Sequence, residues 1–329
     1  MSQNLLGTSE TVLGYKWDPA ERTGRFTADY SFKGWYPVID LSLSAGNRAS
    51  EYLQITRIVD NPGSTVREDT TVQRYTWGQT HGSLGFRLPL GMDKGAFNRL
   101  VQPEVQYGFT DYRKHDSAPE RFQEGNFHSL AYRLYLYQML RKSYLDMFPD
   151  FGIVLDATYR HSLAGTLRAG ELVALQSLAY LPGVMKNHGI KLYGGVQEKK
   201  NSGALDFTDV VRYARGWGRI KTTAIYTGGA DYKLPLIYPD MNFYGLLYVR
   251  RLNASFFADF TRLKGNFYKQ GKVSGSFTED ISSVGTELTA DVNVVRFYAP
   301  ATFGVRASYL PDMKRVYFNL LFSIDFTSF

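Results

Sequence analysis

The stretch Val316-Tyr317-Phe318-Asn319-Leu320-Leu321-Phe322-Ser323-Ile324-Asp325-Phe326-Thr327 decides the fold class. Val316, Phe318, Leu320, Phe322, Ile324 and Phe326 fall on one side of a period-two pattern, and Tyr317, Asn319, Leu321, Ser323, Asp325 and Thr327 on the other. Successive side chains of a β-strand point to opposite faces, so this pattern is a strand with one apolar face. Its length matters as much as its period. Globular strands run about 5–6 residues, whereas a strand tilted across a bilayer needs about 9–11.

The same alternation recurs upstream. Ala301, Phe303, Val305, Ala307 and Tyr309 oppose Thr302, Gly304, Arg306 and Ser308, and Leu288, Ala290, Val292 and Val294 oppose Glu287, Thr289, Asp291 and Asn293. Near the other end, Ile39, Leu41, Leu43 and Ala45 oppose Asp40, Ser42 and Ser44. Val101, Val105, Tyr107 and Phe109 oppose Gln102, Glu104 and Gln106, and Ile153, Leu155, Ala157 and Tyr159 oppose Val154, Asp156, Thr158 and Arg160. A short-stranded soluble sandwich would alternate alike, but the long runs favour lipid outside and water inside.

Counting back from the C-terminus predicts 14 strands, near 315–326, 300–310, 282–297, 247–263, 222–237, 189–200, 169–182, 151–163, 127–141, 97–113, 72–90, 36–46, 25–33 and 10–18. With the last strand ending in the periplasm, the longest connections, 47–71, 114–126, 201–221 and 264–281, all fall outside. Periplasmic turns such as Phe32-Lys33-Gly34-Trp35 and Phe297-Tyr298-Ala299-Pro300 are mostly tight and aromatic. Long outer loops with short inner turns is the outer-membrane arrangement. The expectation is therefore an all-β, transmembrane antiparallel β-barrel occupying 1–329 as one domain, with no Pro/Gly linker dividing it.

Composition agrees. Among 329 residues there are 24 Tyr, 22 Phe and 31 Gly, and 44% are hydrophobic, which excludes a disordered tail. No run of about 18 apolar residues offers a membrane helix. With no cysteine, disulfide scaffolds and thiol nucleophiles drop out. The net charge of +7 is spread along the chain without a dense basic run, so a nucleic-acid partner is not expected. Met1-Ser2-Gln3-Asn4-Leu5-Leu6 carries neither a basic n-region nor an apolar h-region, so an outer-membrane barrel is expected to continue upstream of this chain.

The most specific stretch runs from Val210 to Phe260. It holds Arg215-Gly216-Trp217, then Asp231-Tyr232-Lys233-Leu234-Pro235-Leu236, then Ser255-Phe256-Phe257-Ala258-Asp259-Phe260. Period-two phasing puts Asp231 with Gly229 and Lys233, and Asp259 with Asn253 and Ser255, so both carboxylates point inward. A guanidinium fork can bridge two carboxylates, and Gly216 allows a positive φ. On residues alone, Arg215 reads equally as an exposed loop cation above a wet, aspartate-lined channel.

This stretch resembles the C-terminal barrel of the bacterial surface-antigen, or BamA/TamA-like, outer-membrane assembly superfamily. That family carries an Arg-Gly-aromatic motif in its sixth outer loop, followed by five strands, and five follow here. The resemblance implies that the loop folds into the lumen and that Arg215, Gly216 and Trp217 are its motif, with Asp231 and Asp259 as acidic partners. It implies about sixteen strands in the complete protein, two of them upstream of this chain, as well as periplasmic N-terminal domains absent from it. Three departures stand out. Trp217 replaces the commoner Phe or Tyr, Asp231 replaces the commoner Glu, and Phe329 ends the chain out of phase with the lipid face last seen at Phe326.

No enzyme is expected. His81, His115, His128, His161 and His188 form no metal or nucleophile motif, Gly-x-Ser-x-Gly and the P-loop are absent, and no loop has metal-ligand spacing. Neither a cofactor nor a metal is implied. The expected function is that of a barrel assisting protein insertion or translocation at the bacterial outer membrane. Its expected partners are outer-membrane lipids, client outer-membrane proteins and periplasmic or lipoprotein accessory subunits. The terminal seam would be formed by Phe318, Leu320, Phe322, Ile324, Phe326 and Phe329. The alternatives are a plugged channel or structural barrel of the same superfamily, and a receptor or adhesion barrel acting through loops 47–71 and 264–281.

Overall fold

The computed structural model describes residues 2–3, 7–58, 67–120, 122–143, 145–200, 205–269, 272–294 and 301–324, with backbone alone at 2–3, 52–58, 67–70, 267–269, 272–273 and 324. Its elements are β1 (Ser2–Gln3), β2 (Ser9–Asp18), β3 (Thr23–Phe32), β4 (Val38–Ile58), β5 (Arg67–Arg87), β6 (Leu90–Gly91), β7 (Phe97–Lys114), β8 (Gly125–Leu140) and β9 (Gly152–Gly165). They continue as β10 (Glu171–Pro182), β11 (Gly189–Lys200), β12 (Ala224–Ile237), β13 (Met241–Phe243), β14 (Leu247–Lys269), β15 (Lys272–Val294), β16 (Ala301–Leu310) and β17 (Arg315–Ile324). Fourteen of them have 10 residues or more and coincide with the 14 strands expected from the alternation; β1, β6 and β13 are short additions.

All strands belong to one antiparallel sheet, and each long strand pairs with its neighbours in sequence, as in the wall of a β-barrel. Among the described residues β17 pairs only with β16, and β2 only with β1 and β3. No helix is long and apolar enough to cross a membrane.

The two faces of the sheet differ as the alternation requires. Leu13, Phe26, Leu43, Ile153, Val173, Phe256, Leu288 and Phe318 point outward and are exposed. Outward aromatic pairs brace neighbouring strands, with Tyr15 on Phe26 and Phe303 on Phe322, each at 4.9 Å between ring centroids. Charges and hydroxyls occupy the inward face, where Arg133 meets Asp156 at 2.7 Å and Arg87 meets Asp40 at 2.5 Å. The apolar core lies on this inward side, between the segment 205–221 and the walls of β8 to β15, with Phe127, Leu172, Phe207, Val211, Ile225 and Leu263 all buried.

Two of the expected outer loops are largely strand. β4 runs on to Ile58 and β5 begins at Arg67, and β14 runs to Lys269 with β15 beginning at Lys272. The stretches 47–58, 67–71, 264–269 and 272–281 therefore extend two hairpins instead of forming loops 47–71 and 264–281. In sequence, polar and charged residues such as Arg48, Glu51, Glu279 and Asp280 leave neither phase of these extensions continuously apolar, so the alternation does not mark them as strand. In the other two expected outer connections, the described residues 115–120, 122–124 and 205–223 lie outside any strand. The inner connections are less uniformly tight than expected, because 88–96 and 238–246 each carry a small added strand, β6 and β13. The turn Phe297–Pro300 and the seam residues Phe326 and Phe329 lie outside the described residues.

Candidate functional site

The segment between β11 and β12 folds back against the inward face, seated over glycines. A Cβ on Gly195 would lie 2.7 Å from Val211 Cγ1, and a Cβ on Gly229 would lie 2.4 Å from Asp259 Oδ1 and 2.7 Å from an Arg212 nitrogen. A side chain at residue 195 with Val211 in place, or at residue 229 with Arg212 in place, would displace the loop.

Arg215 sits at the loop's inner end. Its Nε donates to Asp259 Oδ2 at 2.6 Å and its Nη2 to Asp259 Oδ1 at 3.0 Å, a bidentate fork completed by the Arg215 backbone N–H to Oδ2 at 3.2 Å. Nη2 also donates to Asp231, and Nη1 reaches Glu287 Oε1 at 3.1 Å. One guanidinium thus ties β12, β14 and β15. Its Cζ lies 3.8 Å from the centroid of the inward-facing Phe257 ring. Burial works against the Arg215 charge, but the hydrogen bonds to Asp259 and the field of Asp231 outweigh it and hold the group above its usual pKa.

The acids are shared with wall cations. Lys191 meets Asp231 at 3.0 Å, Arg212 meets Asp259 at 3.5 Å and Arg306 meets Glu287 at 2.7 Å. Such buried networks add little net stability, because desolvation offsets attraction; they fix position instead. The holding force comes from apolar burial: Val211 is 0% exposed, Tyr213 8% and Phe207 7%, at about 1.5–3 kcal/mol for a fully buried side chain.

Gly216 has φ +90°, a left-handed conformation suited to glycine, and a Cβ there would meet Leu310 at 3.1 Å. Trp217 donates its indole N–H to the Ser282 carbonyl at 3.0 Å, and the Ala214 N–H donates to Thr261 Oγ1 at 3.0 Å. A second attachment holds the outer limb to β11. The buried Gln197 amide donates to Asp209 Oδ1 at 2.6 Å and accepts from the Val210 N–H at 2.8 Å, while Lys199 pairs with Asp209 at 2.5 Å. Tyr213 donates to Asp209 Oδ2 at 3.1 Å.

The expected set Arg215, Gly216, Trp217, Asp231 and Asp259 is therefore brought together, while Glu287, Phe257, Gln197, Gly195 and Gly229 were missed. All five share the inward phase of their strands, and an inward aromatic or glycine on a wet face is a readable signal. The pairing of Ser255 with Glu287, which brings Glu287 beside the latch, is a register property that composition does not encode. Phe318, Leu320 and Phe322 lie on the outward face of β17 and are exposed, at 79, 89 and 62%. Ile324 is the last residue of β17. The five histidines are dispersed: His115, next to Asp116 in sequence, bonds Thr76 Oγ1 at 3.2 Å, and His81 bonds Thr110 Oγ1 at 2.9 Å. The sequence matches no protein-family model and no curated protein.

Proposed function

We propose that this chain is the barrel of a BamA/TamA-like outer-membrane protein that assists insertion or translocation of proteins at the bacterial outer membrane. The observation that carries the reading is Arg215 bound on the inward face to Asp231 and Asp259, the two acidic partners the sequence resemblance implies, with Glu287 as a third. The exposed apolar outer face and charged inner face suit a barrel with lipid outside and water within.

The seam supplies the working part. β17 offers an edge without a partner among the described residues, and such edges template the addition of another strand. The described parts of β16 and β17 have 10 residues each, as do β2 and β3. At about 3.3 Å rise and about 40° tilt, ten residues span about 25 Å, enough to cross the apolar band of an outer membrane. Clients and accessory subunits are partners under this reading.

Because the chain has no cysteine, Leu320→Cys gives a single crosslinking site. Adducts with nascent barrel proteins are expected during synthesis of such clients, and none with an outward site away from the seam such as Val173→Cys. Equal yields at the two sites contradict the proposal.

A second reading, a plugged channel, is favoured by the loop's seat across the inward faces of β8 to β15. Deleting 205–219 then raises single-channel conductance, whereas unchanged conductance rejects the plug.

A further inference from the structure

At the charged end of the sheet, the connection 115–124 closes over the inner face of β5 to form an aromatic cleft that the insertion reading does not use. The Thr76 N–H donates to Ser117 Oγ at 3.0 Å, and the connection turns through Phe122 N–H to the Pro119 carbonyl at 2.9 Å. Phe122 is thereby set against Tyr75 and Trp77, at ring-centroid distances of 6.2 and 5.8 Å, with Tyr75 and Trp77 themselves 5.5 Å apart. Tyr112 and Gln123 complete the walls, and Leu205, at the start of the latched loop, closes one side. The cleft has a volume of about 350 Å³, at the small end of the range of about 300–1,000 Å³ found for ligand sites.

Its chemistry selects among occupants. Its lining among the described residues is uncharged; Arg48 and Lys114, which lie opposite Trp77 on the neighbouring strands, stand outside that lining, and Arg48 is engaged by Glu21 at 2.6 Å. Yet the lining is not purely apolar: the buried Trp77 indole N–H has no hydrogen-bond partner among the described residues, and Tyr112 and the exposed Gln123 stand in the same walls. A purely hydrocarbon ligand would leave the buried Trp77 N–H unpaired. The occupant that satisfies both demands is a ring with flat C–H faces and equatorial hydroxyls. The geometry points to a saccharide site, in which a neutral pyranose stacks on the Tyr75–Trp77–Phe122 surface and exchanges hydrogen bonds with Trp77, Tyr112 and Gln123. Aromatic residues with polar tips are suited to such half-apolar, half-wet contacts. The site is separate from the Arg215 latch and does not depend on the insertion reading.

Saturation-transfer NMR tests it directly, with the whole chain in a detergent that has no sugar headgroup. The probes are maltotriose, N,N′-diacetylchitobiose, the delipidated core oligosaccharide of a lipopolysaccharide, and the intact lipopolysaccharide. Transfer to ring C–H protons of at least one free sugar is expected. It should fall at least fivefold in Trp77→Ala and in Gln123→Ala, and stay unchanged in Trp35→Ala, an exposed aromatic at the opposite end. Gln123→Ala leaves the ring cluster intact, and a heat-modifiability gel confirms that each variant is folded. Transfer to the core oligosaccharide as well as to intact lipopolysaccharide identifies a lipid-linked glycan as the source; transfer to the other sugars alone identifies a free one. No transfer to any sugar, transfer confined to acyl protons of intact lipopolysaccharide, or transfer unaffected by both cleft variants overturns the proposal.

Discussion

Arg215 Nε lies 2.6 Å from Asp259 Oδ2, and the same guanidinium reaches Asp231 and Glu287, so a single loop residue compensates three inward carboxylates. Arg215→Ala leaves those acids facing one another, with Lys191, Arg212 and Arg306 still paired to them. Breaking a buried pair from one side costs about 3–5 kcal/mol, so the folded band on a heat-modifiability gel should disappear at a clearly lower temperature. Arg215→Lys keeps the charge but not the fork and should fall between the two. Wild-type behaviour of Arg215→Ala would make the pairing unimportant.

The glycine seat gives a steric test with its own control. Gly229→Ala puts a methyl 2.4 Å from Asp259 Oδ1, whereas Gly218→Ala meets nothing within 4 Å. Proteolysis within 205–221 should therefore accelerate in Gly229→Ala and stay at the wild-type rate in Gly218→Ala. Equal rates in the two variants would mean that the loop is not seated on the wall.

Gln197 and Lys199 hold the outer limb through Asp209, independently of Arg215. Gln197→Ala alone should leave the loop in place, because the lower anchor persists, and Arg215→Ala alone should leave it tethered to β11. The double variant should open the loop to protease far beyond the sum of the singles. Simple additivity would argue against two anchors that stand in for one another.

Acid should loosen the β2–β3 turn. Glu21 accepts from Arg48 at 2.6 and 2.7 Å and from the Ala49 N–H at 3.2 Å. The hydrogen bond from Arg48 holds its carboxyl below the ordinary value of 4.5, against the opposing effect of burial. A folded-state pKa lowered in this way means that the stabilisation is complete above the unfolded value and is lost as pH falls through the folded one. Amide protection at Ala49 should drop on going from about pH 6 to about pH 3, and Arg48→Met should abolish the dependence. Protection constant over that range contradicts the clamp.

The fold was legible because the two faces of the sheet make opposite demands on alternate residues, and Val316 to Phe326 keeps one phase apolar throughout. The hairpin extensions 47–58 and 272–281 were illegible for the converse reason, since polar residues such as Arg48, Glu51, Glu279 and Asp280 leave neither phase continuously apolar. The latch was half legible. Asp231 and Asp259 follow from phase and the motif context, but Glu287 joins them only through the β14–β15 register. The second anchor at Gln197 left no pattern beyond an inward polar residue among many.

The central claim is that segment 205–221 lies within the curved sheet, against β11. The chain has no cysteine, and a Cβ at residue 195 would sit 2.7 Å from Val211 Cγ1, close enough for a disulfide after modest adjustment. The measurement is oxidation of the double variant Gly195→Cys/Val211→Cys in membrane-embedded protein, read as a mobility shift under non-reducing conditions. Rapid, near-complete crosslinking that shields both thiols from an aqueous maleimide is the predicted result. Two free thiols, with the one at position 211 labelled as readily as that of an Arg22→Cys control on the exposed turn, would contradict the account.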